Sequence, residues 1–204
     1  MIAYRKITRI KVLAGLLIFF SAQFVYSQNP EYQMLNQMFK DQVLRTLTFD
    51  AEKFKEIPPV LQEELKEVSG AMSSGEANCL FVGAAYKIKD QAVAASWVGN
   101  QLKRKVYHVR LQHAVSLYIG ETEKNLEKLF DLAEKGKWIL FFDEADAIFG
   151  QRTTGEVNST NKYANLETSY FLKQIRDHHV PVFMRVNRAY PELKSTFQYQ
   201  IIFD

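Results

Sequence analysis

The chain lacks a second cysteine. Cys79 stands alone among 204 residues, so no intrachain disulfide framework is available. It opens a short apolar run and reads as a buried structural thiol. An excess of one charge is also missing. Four of the 26 basic residues (Arg5, Lys6, Arg9, Lys11) fall within residues 1–27, where none of the 23 acidic ones does. That leaves 22 basic against 23 acidic residues, and no basic stripe of the kind that grips nucleic acid. Internal repeats and low-complexity tracts are absent. No apolar run reaches the roughly 20 residues that a membrane span needs. What is present is a chain 47% apolar and 24% charged. That is the balance of a globular protein with one domain and an appendage.

The first 27 residues read as an address. Residues 1–11 are cationic, 12–20 are almost wholly apolar, and 21–27 turn smaller and more polar. A secretory signal peptide has this layout. Cleavage is expected after Ser27, with Ala22 as the other candidate position. An uncleaved anchor in the inner membrane is the alternative, and in both cases the basic end stays in the cytoplasm while the rest crosses to a periplasmic or secreted location. If the segment is instead a buried helix, the protein is cytoplasmic.

Residues 28–76 read as a helical segment and linker. Met34, Leu35, Met38, Phe39, Val43, Leu44 and Leu47 recur at helical spacing over residues 32–47. Pro58-Pro59 punctuates, a second helix runs to about Val68, and Ser69-Gly70 with Ser73-Ser74-Gly75 reads as a linker. From residue 77 to 204 the pattern alternates. Strands are expected at 79–82, 106–111, 138–142, 180–186 and 199–203, and helices at about 90–102, 121–134 and 163–177. Such alternation argues an α/β fold with a central parallel sheet covered by helices on both faces. Chemistry then belongs at the carboxyl ends of the strands.

The most specific segment is Trp138-Ile139-Leu140-Phe141-Phe142-Asp143-Glu144-Ala145-Asp146-Ala147-Ile148-Phe149-Gly150. An apolar strand ending in Asp-Glu places a metal-holding carboxylate beside a water-polarising one. Taken alone, two acids after a strand also describe an ordinary solvated turn. The surroundings add to the signal. Leu117-Tyr118-Ile119-Gly120-Glu121-Thr122-Glu123-Lys124-Asn125-Leu126 precedes the acids, Tyr163-Ala164-Asn165-Leu166-Glu167 follows them, and Asn187 ends the next strand. In this order the motifs resemble the nucleotide-binding core of AAA+ ATPases, in particular bacterial ones found with contractile injection systems. The resemblance covers about 110 residues and implies a P-loop NTPase-like three-layer fold with a five-stranded parallel sheet. It also implies ATP and Mg²⁺ as cofactors and a polypeptide substrate or protein partner. By resemblance Asp143 supports the metal, Glu144 activates water, Asn187 senses the γ-phosphate and Tyr118 is the pore-loop aromatic.

The resemblance breaks at the phosphate loop. The aligned residues are Gly83-Ala84-Ala85-Tyr86-Lys87-Ile88-Lys89-Asp90. Gly83 and Lys89 match the family, whereas Tyr86 and Ile88 replace glycines and Asp90 replaces the metal-binding hydroxyl. The loop works as a nest of inward-pointing backbone N–H groups, often in left-handed conformations that suit glycine. Forcing Ile88 into one is expected to cost on the order of 1–3 kcal/mol. Asp90 adds negative charge beside a triphosphate, although a carboxylate can ligate magnesium. Lys89 offers a point charge to phosphate, or is a solvated lysine at a helix start. The stretch Leu193-Lys194-Ser195-Thr196-Phe197 holds no arginine to reach a neighbouring subunit, and the family's helical lid is not found before residue 204. The hexameric ring of the family is therefore not carried over, and any homo-oligomer lacks the support of arginine fingers. Arg185 is a separate anomaly. It stands in an apolar core strand, where a buried guanidinium needs a partner, and the sequence shows no obvious one.

Three readings follow: an ATPase coupled to protein remodelling, an exported pseudo-ATPase kept as an interaction module, and a decaying copy with no settled role. Export is checked by mass spectrometry of the mature protein after fractionation. The expected N-terminus is Gln28, and an intact Met1 in the soluble cytosol would return the chain to the ATPase reading.

Overall fold

Three nearly unbroken apolar stretches form the middle of one sheet: β2 (Cys79–Gly83), β4 (Ile139–Asp143) and β5 (Val182–Val186). The structure, a computed structural model, describes residues 30–74, 77–111, 122–149 and 159–204. Strands β1 (Leu44–Leu47), β3 (Val106–Arg110) and β6 (Tyr199–Phe203) complete a six-stranded sheet in the order β1-β3-β4-β5-β2-β6. All neighbours are parallel except β1, which runs antiparallel to β3. The four inner strands β3, β4, β5 and β2 are buried on both faces, so their sequences do not alternate between apolar and polar.

The two-residue period decides which side chain enters which layer. Leu80, Val109, Leu140, Phe142, Val182 and Met184 lie on one face with α1 (Pro30–Lys40), α5 (Thr122–Gly136) and α7 (Ser159–Asp177). Cys79, Phe81, Val106, Ile139, Phe141, Phe183 and Phe203 lie on the other with α3 (Pro59–Ser73) and α4 (Ile88–Leu102). A short α2 (Ala51–Lys55) caps this second layer, with Phe54 stacked on Trp97 at 4.9 Å between ring centroids. A further short helix, α6 (Asp146–Phe149), follows β4. Cys79 is fully buried, and burial first, then the charge of Glu64, pushes its thiol pKa up. No helix among the described residues is long and apolar enough to cross a membrane.

Two features of residues 28–76 differ from the sequence reading. The helix expected over 32–47 stops at Lys40, and residues 44–47 form β1 on the sheet edge, so the sheet has six strands rather than five. The apolar positions 43, 44 and 47 fit either assignment, and backbone geometry decides between them. Gln42 turns left-handed at φ 56°, and Val43 N–H reaches back to Met38 C=O at 2.9 Å. With Gln42 N–H on Phe39 C=O at 3.1 Å, this is a left-handed helix stop, usually built on glycine. The second difference is at Ser69-Gly70, which lies inside α3 rather than in a linker. Leu65, Val68 and Met72 carry the buried stripe straight past it, and Ser73 and Ser74 hydroxyls donate to the C=O groups of Gly70 and Ala71.

Lysines make the same stop twice more. Lys103 and Lys137 both sit at φ 53° after α4 and α5. Arg104 N–H bonds to Gly99 C=O at 2.9 Å, and Trp138 N–H to Ala133 C=O at 2.8 Å. A left-handed residue with a Cβ costs about 1–2 kcal/mol, part of which glycine removes. Lys103→Gly and Lys137→Gly are each expected to raise stability by about 0.5–1 kcal/mol, read as a higher urea midpoint at unchanged slope. A lower midpoint in both variants would contradict this account of the helix ends.

Candidate functional site

Because β2, β4 and β5 are parallel neighbours, Gly83, Asp143 and Asn187 leave the sheet along one edge. The register pairs Phe142 with Met184, so Asp143 and Arg185 follow side by side. Both lie on the α4 face, two residues beyond Phe141 and Phe183. His108 shares that face, with Arg45 opposite it on β1. The strand period thus lines up four polar side chains across the sheet.

These groups are joined by hydrogen bonds. Arg185 Nε donates to Asp143 Oδ1, and Glu144 N–H donates to the same oxygen at 2.7 Å. His108 Nε2 lies 3.3 Å from Asp143 Oδ2, while Arg45 Nε donates to His108 Nδ1 at 2.9 Å. A guanidinium can only donate, so Nδ1 accepts and the ring hydrogen sits on Nε2, facing the carboxylate. Arg185 also donates from Nη1 to Asn187 Oδ1 at 2.9 Å. The Asn187 backbone N–H is held by Asp146, at 3.1 and 2.9 Å to its two oxygens, and Tyr190 OH donates to Asp146 at 2.9 Å. His108, Asp143 and Arg185 are all at least 94% buried. Burial pushes the Asp143 carboxyl up, but the His108 and Arg185 hydrogen bonds, the Arg185 charge and the Glu144 N–H together hold it at about 2.

The partner missing from the sequence for Arg185 is therefore Asp143. Of the residues read from sequence, Asp143 and Asn187 are brought together by this one guanidinium. Glu144 is half-buried and left-handed, at φ 61°. His108, Arg45 and Asp146 were not among the sequence candidates. A histidine inside an apolar strand is their one visible signal, and the cross-strand pairing that gives it meaning depends on β1.

The segment after β2 takes another shape. Residues Ala85–Lys87 form a 3₁₀ turn that runs directly into α4, with Lys87 N–H on Ala84 C=O at 2.9 Å. Among residues 84–90 none is left-handed. The strain expected at Ile88 is absent because Ile88 is the first helical residue of α4. Lys89 and Asp90 follow in the exposed first turn, and Tyr86 is 76% exposed. Gly83 is buried where a Cβ would meet Phe203 C=O at 2.6 Å and Gln91 Nε2 at 3.1 Å. Gln91 is fully buried, and neither of its amide atoms has a hydrogen-bond partner among the described residues. Tyr118 lies outside the described residues, as do 112–121 around it. No group of three or more His, Cys, Asp or Glu side chains among the described residues is placed to hold a metal ion.

The model of the "ATPase family associated with various cellular activities (AAA)" matches residues 90–198, more than half of the chain. The chain belongs to the AAA family. The match begins at Asp90, just past the 3₁₀ turn. An AAA family ATPase of Sinorhizobium fredii, y4kL, is 28% identical over 158 residues, 76% of this chain and 45% of that protein. The chain thus spans less than half the length of this curated relative. The crystal structure of the FIGL-1 AAA domain superimposes with a TM-score of 0.62 at 16% identity, over 84% of this chain and 60% of that one. The same domain in complex with ADP gives 0.62 at 15%, over 86% and 62%. At such identities the likeness is one of fold. It supports the P-loop NTPase-like AAA fold.

A free aspartate titrates near 3.8, against about 2 for Asp143. A depressed carboxylate stabilises the fold fully above its unfolded value, and loses that contribution as the pH falls through the folded one. The gap corresponds to ~2 kcal/mol. Asp143→Asn is expected to destabilise by about 3–5 kcal/mol at neutral pH, because Arg185 stays buried without a counter-charge. It is also expected to flatten the stability loss between about pH 4 and 2. Urea titrations across that range check both, and a variant with wild-type acid sensitivity would show that Asp143 is not the group responsible.

Proposed function

We propose that this AAA chain is a pseudo-ATPase, an interaction module that keeps the fold and does not turn over ATP. The observation that carries the reading is the occupation of Asp143. A carboxylate that holds Mg²⁺ must offer an oxygen to the metal, away from like charge. Here Oδ1 accepts two donors, one from a guanidinium, and Oδ2 faces His108 Nε2. These residues do not fit a magnesium ion. The 3₁₀ turn at Ala85–Lys87 supports the same reading, since its residues are right-handed and Lys87 N–H bonds back to Ala84 C=O instead of joining an anion nest. Family membership and the ADP complex of FIGL-1 point to nucleotide at this edge, and weak binding there is compatible with both.

The work of such a module is contact with a polypeptide partner, with Tyr118 as one contact aromatic. Residues 1–27 would carry it out of the cytoplasm, where nucleoside triphosphate is scarce. In the ATPase reading, Glu144 activates water and Lys89 holds phosphate. That reading draws on the common edge shared by Asp143, Glu144 and Asn187.

Phosphate release from Mg²⁺-ATP by the purified protein is expected to match buffer alone, with Glu144→Gln no different. Calorimetry is expected to give an ATP dissociation constant weaker than ~10 μM, near −7 kcal/mol. Turnover that disappears with Glu144→Gln would make the chain a working ATPase.

A further inference from the structure

We infer that Arg185 is a built-in substitute for the divalent cation, a fixed positive charge that the chain itself supplies to Asp143 and Asn187. The inference rests on the pseudo-ATPase reading and gives it a single responsible residue.

Position is the first support. β5 reads Val-Phe-Met-Arg-Val, with all five residues buried. A guanidinium in such a strand requires a carboxylate close by, and the neighbouring strand supplies Asp143 at the next position of the register. The second support is the pattern of bonds. One planar side chain spends Nε on Asp143 and Nη1 on Asn187. These are the two residues that would otherwise support a metal and sense a phosphate. A guanidinium has fixed donor directions, so it holds both acceptors in one rigid arrangement. The third support is the far side of the carboxylate. His108 faces Oδ2 and is itself fixed by Arg45, so Asp143 cannot swing away from Arg185 without leaving His108 as well. The pair is neutral as it stands, whereas a dication beside it would add uncompensated positive charge in a buried place.

The substitution is therefore reversible by mutation. Removing the guanidinium leaves Oδ1 with the Glu144 N–H as its one remaining donor among the described residues and restores an unpaired negative charge facing the strand edge. The probe is Mn²⁺, titrated into the full-length protein and followed by the electron paramagnetic resonance of the free ion. Wild type is expected to take up no Mn²⁺ below about 1 mM. Arg185→Val is expected to gain one site at least about tenfold tighter than that limit. Adding Asp143→Asn to it is expected to abolish the site. Wild type that already binds Mn²⁺ through Asp143, or a folded Arg185→Val that binds none, overturns the inference. Should Arg185→Val not fold, the wild type still decides the question by nuclear magnetic resonance. The Arg185 Nε–H signal is expected to stay in place with about 10 mM Mg²⁺, and a shift or loss of that signal overturns the inference. Phosphate release measured on the same wild-type sample separates the two claims. Turnover there defeats the pseudo-ATPase reading, whereas an inert wild type whose Arg185→Val variant gains no site defeats the role of Arg185 alone.

Discussion

A carboxylate at the end of a wholly buried strand must find positive charge within reach, and Asp143 finds it one strand away. The pairing depends on the order β4-β5 in the sheet and on a register that sets residues 143 and 185 abreast. Two charges taken out of water repay their desolvation only when the remaining donors and acceptors are also satisfied. Here they are largely satisfied: Glu144 N–H and His108 complete the carboxylate, and Asn187 takes a second guanidinium hydrogen. The ion pair thereby fixes the ends of β4 and β5 along this edge and holds His108 of β3 beside them. A shift of β5 by one residue would turn Arg185 to the opposite face, among Phe142 and Phe171, and leave Asp143 unpaired.

The same row ties the edge strand to the centre. β1 is four residues long and antiparallel, and backbone pairing with β3 alone makes a modest attachment. Arg45 adds a side-chain bond to His108, and through it to Asp143. Arg110 adds another, from its Nε to Gln42 C=O at 2.8 Å. Residues 30–47 are thus built into the sheet rather than appended to it. The left-handed stop at Gln42 makes this possible, since a helix continued through residue 47 would carry Leu44 and Arg45 away from β3.

How far each of these features could be read from sequence follows from its range. Strands β2, β4, β5 and β6 are mostly apolar runs recognisable from local sequence alone, and their reading survives with boundaries moved by a residue or two. The helices Ile88–Leu102 and Thr122–Gly136 are legible for the same local reason. The strand Leu44–Leu47 is not, because its apolar spacing suits a helix equally and the stop residue is glutamine, lysine's companion here in a role that glycine usually announces. At the site, Asp143 and Asn187 are visible as strand-end residues. Arg185 is visible as an anomaly only. Its partner lies 42 positions away, and nothing local in either segment says that the two strands are neighbours. The Arg45–His108 bond spans 63 positions and becomes apparent only once β1 is known to be a strand.

The remnants of the phosphate loop show why a surviving motif residue is weak evidence for the motif. Gly83 matches the family, yet its own surroundings already require it: no Cβ fits against the Phe203 carbonyl and the Gln91 amide. The requirement comes from β2 packing against β6 and α4, which any chain of this fold must satisfy, with or without nucleotide. Lys89 likewise occupies an exposed first helical turn, where a lysine is acceptable in any protein. The replaced residues carry the information instead. With Tyr86 and Ile88 in place of glycines, the chain relaxes into a right-handed 3₁₀ turn that leads without a break into α4. The segment thereby has helical regularity from Ala85 into α4. On the proposed pseudo-ATPase reading, the 3₁₀ turn and the Arg185–Asp143 pair belong together, since one leaves phosphate without a nest and the other leaves a metal without a free carboxylate.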